Sequence, residues 1–260
     1  MFARGKELQR MFLQCGPRRG FANKAVFDIE PCQLHGLETG PSTRTTLTRT
    51  DALTYFTMMS EMREIGNVAN ILFNQNLIRG FLHLCPGMEA VRAGVEAAIT
   101  QEDIVVGTYR IHGWAYARGI TVEQILGEFL GKSTGCSKGK GGAMHLYSKN
   151  LFGGNGIIGA TVPLGTGVGF AMKYNKKPNV SVSTYGEGAA NQGQIFEAFN
   201  MAKLWNLPCI YHCDNNVYSI STKAERVTAS TDFYSRGDYI PGLMIIPLSM
   251  FSYVYHSSSF

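Results

Sequence analysis

The stretch at residues 180–216 constrains the fold more than any other part of this 260-residue chain. Alternating β-branched residues at 180–185 predict a strand, and a glycine-rich turn at 186–193 follows it. Apolar residues then recur at helical spacing until Pro208, and residues 209–214 predict a second strand. Such a strand–helix–strand unit places two parallel strands side by side through a right-handed crossover. The apolar positions of its helix are Ile195, Ala198, Phe199, Ala202 and Trp205.

Two polar residues of this unit fall at the sheet edge where open α/β proteins bind ligands. Glu187 follows the first strand and Asn216 follows the second, each at a carboxyl end. Carboxylate and amide oxygens suit Mg²⁺. Gly188 and Ala189 lead into a helix, whose free N–H groups favour phosphate. The residues therefore predict a metal bridged to a diphosphate, with a strand–helix turn that binds nothing as the alternative.

The same stretch resembles the thiamine diphosphate motif, in which a Gly–acid–Gly turn is followed at this distance by two asparagines. The stretch is similar to the E1 α subunits of thiamine diphosphate-dependent 2-oxoacid dehydrogenases, and among them to those of mitochondrial pyruvate dehydrogenase. The segments that carry this similarity are GAANQGQIFEAFNMA, LW and LPCI. The strings IRGF and KGKGG extend the resemblance, which covers roughly residues 27–243. It implies an α/β fold with a mainly parallel sheet flanked by helices, of the thiamine diphosphate-binding type.

The resemblance also implies a role for individual residues. Without it, an exposed Arg110 beside a solvated His112 would be the simpler interpretation of the segment after residue 108. The implied set comprises the metal ligands Glu187, Asn216 and the main-chain carbonyl of Tyr218; the diphosphate-binding residues Tyr109, Arg110, Gly188 and Ala189; Gly156 and Ile158 at the aminopyrimidine; and the catalytic His83 near the substrate.

The function implied by the resemblance is decarboxylation of pyruvate and transfer of the acetyl group to the lipoyl group of E2. A β subunit would complete the site in an α₂β₂ assembly, so this chain would be inactive alone. A branched-chain 2-oxoacid dehydrogenase E1 α subunit is one alternative, since its motif shares the pattern of residues 218–222. A truncated, non-catalytic E1 α-like chain is another. A generic nucleotide-binding module is disfavoured because no GxGxxG follows a first strand.

The sequence departs from the family's pattern in three places. The family has Asp where this chain has Glu187, and the extra methylene predicts weaker binding of Mg²⁺ and cofactor. Lys223 stands where the family carries a phosphorylated serine. From Met244 onward the chain no longer matches, so we expect a domain incomplete at its C-terminus with a divergent tail at 244–260.

Charge distribution singles out the N-terminal region. Residues 1–26 hold six of the 24 basic residues and one of the 19 acidic residues, so the net charge of +5 arises there. An Arg-rich segment poor in acids predicts a mitochondrial transit peptide and a matrix location, with a flexible tail as the alternative. The neutral remainder does not indicate a nucleic-acid surface. No apolar run reaches the roughly 18–20 residues of a membrane span.

Outside the central unit the patterns predict several further elements. Helices are expected over 51–73, 89–99, 122–130 and 162–174, and a strand over 103–108. Residues 27–50 indicate an extended arm, and residues 135–145 and 153–160 indicate glycine-rich loops. The six cysteines match no zinc pattern. Two of them, Cys209 and Cys213, should share one face of a strand as reduced thiols.

Overall fold

The computed structural model describes residues 23–245, and the expectations for residues 1–22 and 246–260 lie outside them. The strands are β1 Lys24–Asp28, β2 Gln33–His35, β3 Arg44–Thr48, β4 Ile104–Thr108, β5 Tyr147–Ser148, β6 Leu151–Asn155, β7 Ser181–Gly186, β8 Cys209–Asp214, β9 Tyr218–Ser219, β10 Thr222–Lys223 and β11 Gly242–Met244. The α-helices are α1 Arg49–Asn74, α2 Glu89–Ala98, α3 His112–Ala117, α4 Val122–Phe129, α5 Thr161–Tyr174, α6 Gly193–Leu204 and α7 Ala224–Val227.

A five-stranded sheet with the order β5-β6-β4-β7-β8 forms the centre of the described part of the chain. Strands β6, β4, β7 and β8 are parallel to their neighbours, and only β5 pairs antiparallel. Strand β7 pairs with β8 from Ser181 and Cys209 to Gly186 and Asp214. The prediction of an α/β fold with a mainly parallel sheet, and of a strand–helix–strand unit at its heart, is confirmed.

Helices cover both faces of this sheet, because alternate strand residues point to opposite sides. On one face Val105 and Val182 pack with the helices α1, α3 and α4, whose buried members include Trp114 and Ile125. On the other face Tyr185 packs with α5 and α6. The core therefore consists of two apolar layers, one on each face of the sheet, and the carboxyl ends of the strands lie between these layers.

Helix α5 lies unusually close to the sheet. A Cβ on Gly165 would stand 1.7 Å from Oγ of Ser183, and one on Gly169 would stand 2.3 Å from Sγ of Cys209. The glycines that face β7 and β8 therefore allow the helix to pack tightly on the sheet.

Two local expectations are wrong in detail, and two others were incomplete. The predicted extended arm at 27–50 contains the strands β2 and β3 and the end of β1, and β1 pairs antiparallel with β3. The predicted glycine-rich loop at 153–160 begins inside strand β6. Trp205 lies just beyond the end of α6 and is 40% exposed, so it does not belong to the buried stripe of that helix. The short helix α3 was not expected at all.

Two further features concern membrane-spanning helices and cysteines. Across residues 23–245 no helix combines the length and the apolar character needed to cross a membrane. The five cysteines in this range are free thiols. Cys213 and Cys209 both face the α5–α6 layer, and burial raises the pKa of each thiol, to about 11 for Cys209.

Candidate active site

Four parallel strands end at one edge of the sheet, and nearly all the residues singled out from the sequence follow these ends. The arrangement results from the parallel pairing of β6, β4, β7 and β8, which brings their carboxyl ends together. Tyr109 and Arg110 follow β4, Gly156 and Ile158 follow β6, Glu187, Gly188 and Ala189 follow β7, and Asn216 and Tyr218 follow β8.

Glu187 is the buried carboxylate of this edge, with 2% of its surface exposed. The main-chain nitrogen of Asn216 lies 3.4 Å from its Oε2, and Oγ of Ser219 lies 3.4 Å from its Oε1. Both contacts are longer than the usual hydrogen bond of about 2.9 Å. None of the basic side chains in the described range forms an ion pair with Glu187. A buried carboxylate with only such long hydrogen-bond contacts is unfavourable as an anion unless a cation pairs with it.

The donors around Glu187 have the chemistry that Mg²⁺ prefers. A carboxylate, the side-chain amide of Asn216 and main-chain carbonyls after β8 offer oxygen atoms, and Mg²⁺ takes such ligands together with substrate phosphates. Among residues 23–245 no group of three or more His, Cys, Asp or Glu could hold a metal ion. A site here would therefore depend on amide and carbonyl oxygens, and the residues present fit that requirement.

The loop after β8 is strained beside this site. Val217 and Ile220 are β-branched residues with φ of +72° and +57°, and Ile220 is fully exposed. Such residues rarely adopt the left-handed region, so surrounding structure must hold them there. Side-chain oxygens of Asn215 and Asn216 contribute by accepting the N–H groups of Val217 and Tyr218 at 3.1 and 3.2 Å. Gly188 allows the loop to approach the turn after β7, because a Cβ on Gly188 would lie 2.2 Å from Oγ of Ser219.

His83 reaches the same edge from the loop before α2. Its ring lies 4.4 Å from that of Tyr109, centroid to centroid. Partial burial, followed by the nearby Arg110 guanidinium, lowers the pKa of His83, so its ring is neutral at neutral pH. Arg110 donates to the main-chain carbonyl of Leu84. In the described range no hydrogen bond joins Arg110 to the turn after β7, so these contacts link His83, Tyr109 and Arg110 but do not include Glu187.

The loop after β6 lies beside the start of α6. Gly156 and Ile158 are exposed, and the carbonyl of Ile158 accepts a hydrogen bond from the side chain of Gln194 at 3.3 Å. Gln194 also donates to the side chain of Gln192 at 2.5 Å. A Cβ on Gly159 would stand 2.4 Å from that Gln192 oxygen, which explains the glycine with φ of +81°. Neither glutamine was singled out from the sequence.

Comparison with known proteins identifies the family of this chain. A family model described as "Dehydrogenase E1 component" matches residues 57–245. The chain belongs to this family. The mitochondrial somatic-form "Pyruvate dehydrogenase E1 component subunit alpha" of Homo sapiens is 55% identical over 227 residues, which cover 87% of this chain and 58% of that protein. The mitochondrial subunit alpha of Sminthopsis macroura is 54% identical, with 87% of this chain and 62% of that protein covered. The chain thus spans about three fifths of the length of these relatives.

The dehydrogenase E1 chain also contains buried polar groups near the site that sequence reasoning missed. Arg92 on α2 is completely buried and forms a salt bridge with Asp214 at the end of β8. His112, which the simpler interpretation of the sequence placed in solvent, is also buried, with its Nε2 3.2 Å from Sγ of Cys85. Arg92 could have been noticed in the sequence, because it is a charged residue within the apolar pattern of α2. Its pairing with Asp214 could not, because the two residues lie 122 positions apart.

Proposed function

We propose that this chain is the α subunit of a pyruvate dehydrogenase E1 component, and that it binds thiamine diphosphate and Mg²⁺. It would decarboxylate pyruvate and transfer the acetyl group to lipoyl-E2 in the mitochondrial matrix, together with a β subunit. The observation that carries the proposal is the buried Glu187 carboxylate beside Asn216, at the edge where four parallel strands end and where no basic side chain of residues 23–245 pairs with it. The names of the relatives support the choice of substrate and compartment.

The residues after β7 and β8 would hold the metal. Glu187, the side chain of Asn216 and the main-chain carbonyl of Tyr218 would supply oxygen ligands to Mg²⁺. The buried Ala189 and the adjoining Gly188 begin a helical turn, whose free N–H groups suit a diphosphate. Thiamine diphosphate, when bound, supplies the electron sink that stabilises the carbanion left by decarboxylation.

The residues after β4 and β6 would orient the organic part of the site. Tyr109 and Arg110 would bind the diphosphate from the β4 side, with the Arg guanidinium exchanging the Leu84 carbonyl for phosphate oxygens. Main-chain groups of Gly156 and Ile158 would meet the aminopyrimidine. His83, neutral at neutral pH, would stand near the substrate and could donate or accept one hydrogen bond.

A partner subunit is supported by the exposed apolar surface of α5 and α6. The two helices line a groove of about 380 Å³ that includes Phe170, Met201 and Trp205. Phe170 and Met201 are 48% and 40% exposed. Exposed apolar side chains that line one groove suit a contact with another protein. We therefore include a β subunit in the proposal.

The test is pyruvate-dependent reduction of an artificial electron acceptor by this chain co-expressed with a β subunit of pyruvate dehydrogenase. Thiamine diphosphate and Mg²⁺ are present at saturation. We expect turnover that requires both, and we expect Asn216→Ala to abolish it. Asn175→Ala is the matched control, because Asn175 is an exposed asparagine at the far end of α5. Its turnover should equal that of the wild type.

Other outcomes separate the alternatives. Turnover with 3-methyl-2-oxobutanoate but not with pyruvate would favour a branched-chain E1 α subunit. A stable α–β complex without turnover would favour a non-catalytic E1 α-like chain. The longer side chain of Glu187, which should weaken Mg²⁺ binding, would then be the structural reason. Absence of both turnover and complex would reject the proposal for this chain.

A further inference from the structure

A buried ion pair connects the helical layer to the strand end at the candidate site. Arg92 is completely buried, and its two terminal nitrogens lie 2.6 and 2.7 Å from the two carboxylate oxygens of Asp214. Asp214 is the last residue of β8 and stands two positions before Asn216. The pair therefore ties α2 to the segment that carries a proposed metal ligand.

Stability alone explains this pair poorly. Transferring two charges from water to a protein interior is unfavourable, and apolar side chains often fill such positions equally well. The Nε of Arg92 even lacks a hydrogen-bond partner within the described range. What a two-pronged guanidinium–carboxylate contact does provide is orientation, because two parallel hydrogen bonds fix the plane of the carboxylate.

The residue that Arg92 holds is connected to both proposed metal ligands. The main-chain carbonyl of Asp214 accepts the N–H of Glu187 at 3.3 Å. The N–H of Asn216 lies 3.4 Å from the Glu187 carboxylate. A displacement of Asp214 would therefore change how Asn216 stands relative to Glu187.

The guanidinium is itself held in place by its surroundings. Its Cζ lies 5.4 Å from the ring centroid of Trp114, and one terminal nitrogen lies 3.6 Å from Sδ of Met88. His212 is the other group on Asp214, with its Nε2 3.5 Å from Oδ1. Burial lowers the pKa of His212 despite this carboxylate, so the ring is neutral at neutral pH and Arg92 is the paired cation.

We propose that Arg92 is a positioning residue of the Mg²⁺ site, acting through Asp214 to hold Asn216 against Glu187. The inference rests on the proposed function, because it requires that Glu187 and Asn216 bind the metal. Arg92 touches neither metal nor cofactor in this scheme. Such outer residues typically change metal affinity by 10- to 100-fold when they are mutated.

Two variants test the inference in the complex with a β subunit. Asp214→Asn keeps the side-chain shape and removes one charge. Arg92→Met combined with Asp214→Asn removes both, so that no unpaired charge is left buried. Each complex is titrated with Mg²⁺ at saturating thiamine diphosphate by calorimetry, and its thermal unfolding is recorded. We expect the Kd for Mg²⁺ to rise about tenfold or more in both variants, including the folded double variant.

Activity measurements should also distinguish a defect in Mg²⁺ binding from a loss of stability. Excess Mg²⁺ should restore kcat in the double variant, because the defect lies in metal binding and not in the reacting groups. Arg92→Lys retains the charge and should keep more of the Mg²⁺ affinity than Arg92→Met. A pair that only stabilises the fold would lower Tm in these variants without changing the Kd for Mg²⁺.

Glu96→Gln is the matched control. Glu96 lies on the same helix α2 and pairs with the buried Arg118 at 3.1 Å, but Arg118 holds main-chain carbonyls near the amino end of β4, away from the site. This variant should lower Tm and leave the Kd for Mg²⁺ unchanged. Unchanged Mg²⁺ affinity in the folded double variant would overturn the inference and leave the proposed function intact. A wild-type complex that binds no Mg²⁺ with thiamine diphosphate would overturn both.

Discussion

The main-chain nitrogen of Asn216 lies 3.4 Å from Oε2 of Glu187, so two neighbouring strand ends meet at one buried carboxylate. The resemblance implies an aspartate at this position, and the side chain of Glu187 is one methylene longer. Mg²⁺ requires nearly ideal octahedral geometry at about 2.0–2.1 Å, so a displaced carboxylate should bind it less well.

Glu187→Asp should therefore strengthen binding of Mg²⁺ in the presence of thiamine diphosphate. We expect a gain of up to about tenfold, on the order of 1 kcal/mol. Calorimetric titration of the wild-type and variant complexes measures it, with Glu123→Asp on the exposed side of α4 as the control. Equal affinities for the wild type and Glu187→Asp would refute the geometric argument.

Close packing of α5 on the sheet makes a second prediction. Gly165→Ala should destabilise the fold by about 1–3 kcal/mol, because the added Cβ would stand 1.7 Å from Oγ of the buried Ser183. Gly167 is the matched control on the same helix, since nothing lies within 4 Å of its added Cβ. Gly167→Ala should raise stability by about 0.5–1 kcal/mol through helix propensity. Urea unfolding measures both, and equal effects of the two variants would contradict the packing argument.

The elements with a strong local pattern could be predicted from the sequence. Strands β7 and β8 were expected within one residue of their observed bounds, because alternation is a local signal. Helix α6 was expected from its helical spacing, but it ends at Leu204 and does not extend to Pro208. The parallel pairing then brought Glu187 and Asn216 together as expected. The resemblance to the E1 family, noted on the same residues, is confirmed by the family match at 57–245.

Features that depend on distant contacts could not be predicted. Strand β6 contains Gly153 and Gly154, which are poor strand formers, and added Cβ atoms there would stand 2.4 Å and 1.2 Å from the carbonyls of Leu146 and Met144. Close backbone approach, not strand propensity, explains these glycines. Strand β2 likewise finds its partner β11 more than 200 positions away, and no local pattern encodes that pairing.

Glu128 organises the lysine-bearing loop at residues 135–142. It is fully buried, and its carboxylate accepts the N–H groups of Ser137, Gly139 and Gly141 at 2.7, 3.0 and 2.6 Å. A glutamine could not accept all three, because its NH₂ group would face a donor. An unpaired buried donor costs about 1–3 kcal/mol.

Glu128→Gln should therefore open this loop. Lys138 and Lys140 are exposed trypsin sites within it, so limited trypsin digestion should cleave after them faster than in the wild type. Glu123→Gln is the control, because Glu123 is exposed on the same helix α4. Identical cleavage rates at the loop in the wild type and Glu128→Gln would show that the carboxylate does not hold it.

The buried His112 makes the stability of the chain depend on pH. Burial, and secondarily Arg92, lowers the pKa of this ring to about 4. The unfolded chain has a histidine pKa of about 6.5, so between these values it binds a proton that the folded chain does not. The contribution of His112 is therefore fully present above pH 6.5 and is lost as the pH falls towards 4.

We expect this group to remove about 2 kcal/mol from the free energy of unfolding between pH 6.5 and 5. His112→Gln should lose that part of the pH dependence, because glutamine does not titrate. Urea unfolding of both proteins at several pH values from about 5 to 7 measures the slopes. The variant will be less stable at neutral pH, since its side chain replaces a ring packed edge-on against Phe129 and within 3.2 Å of Cys85. The slope, and not the absolute stability, is therefore the diagnostic quantity, and an unchanged slope would mean that His112 is protonated alike in the folded and unfolded chain.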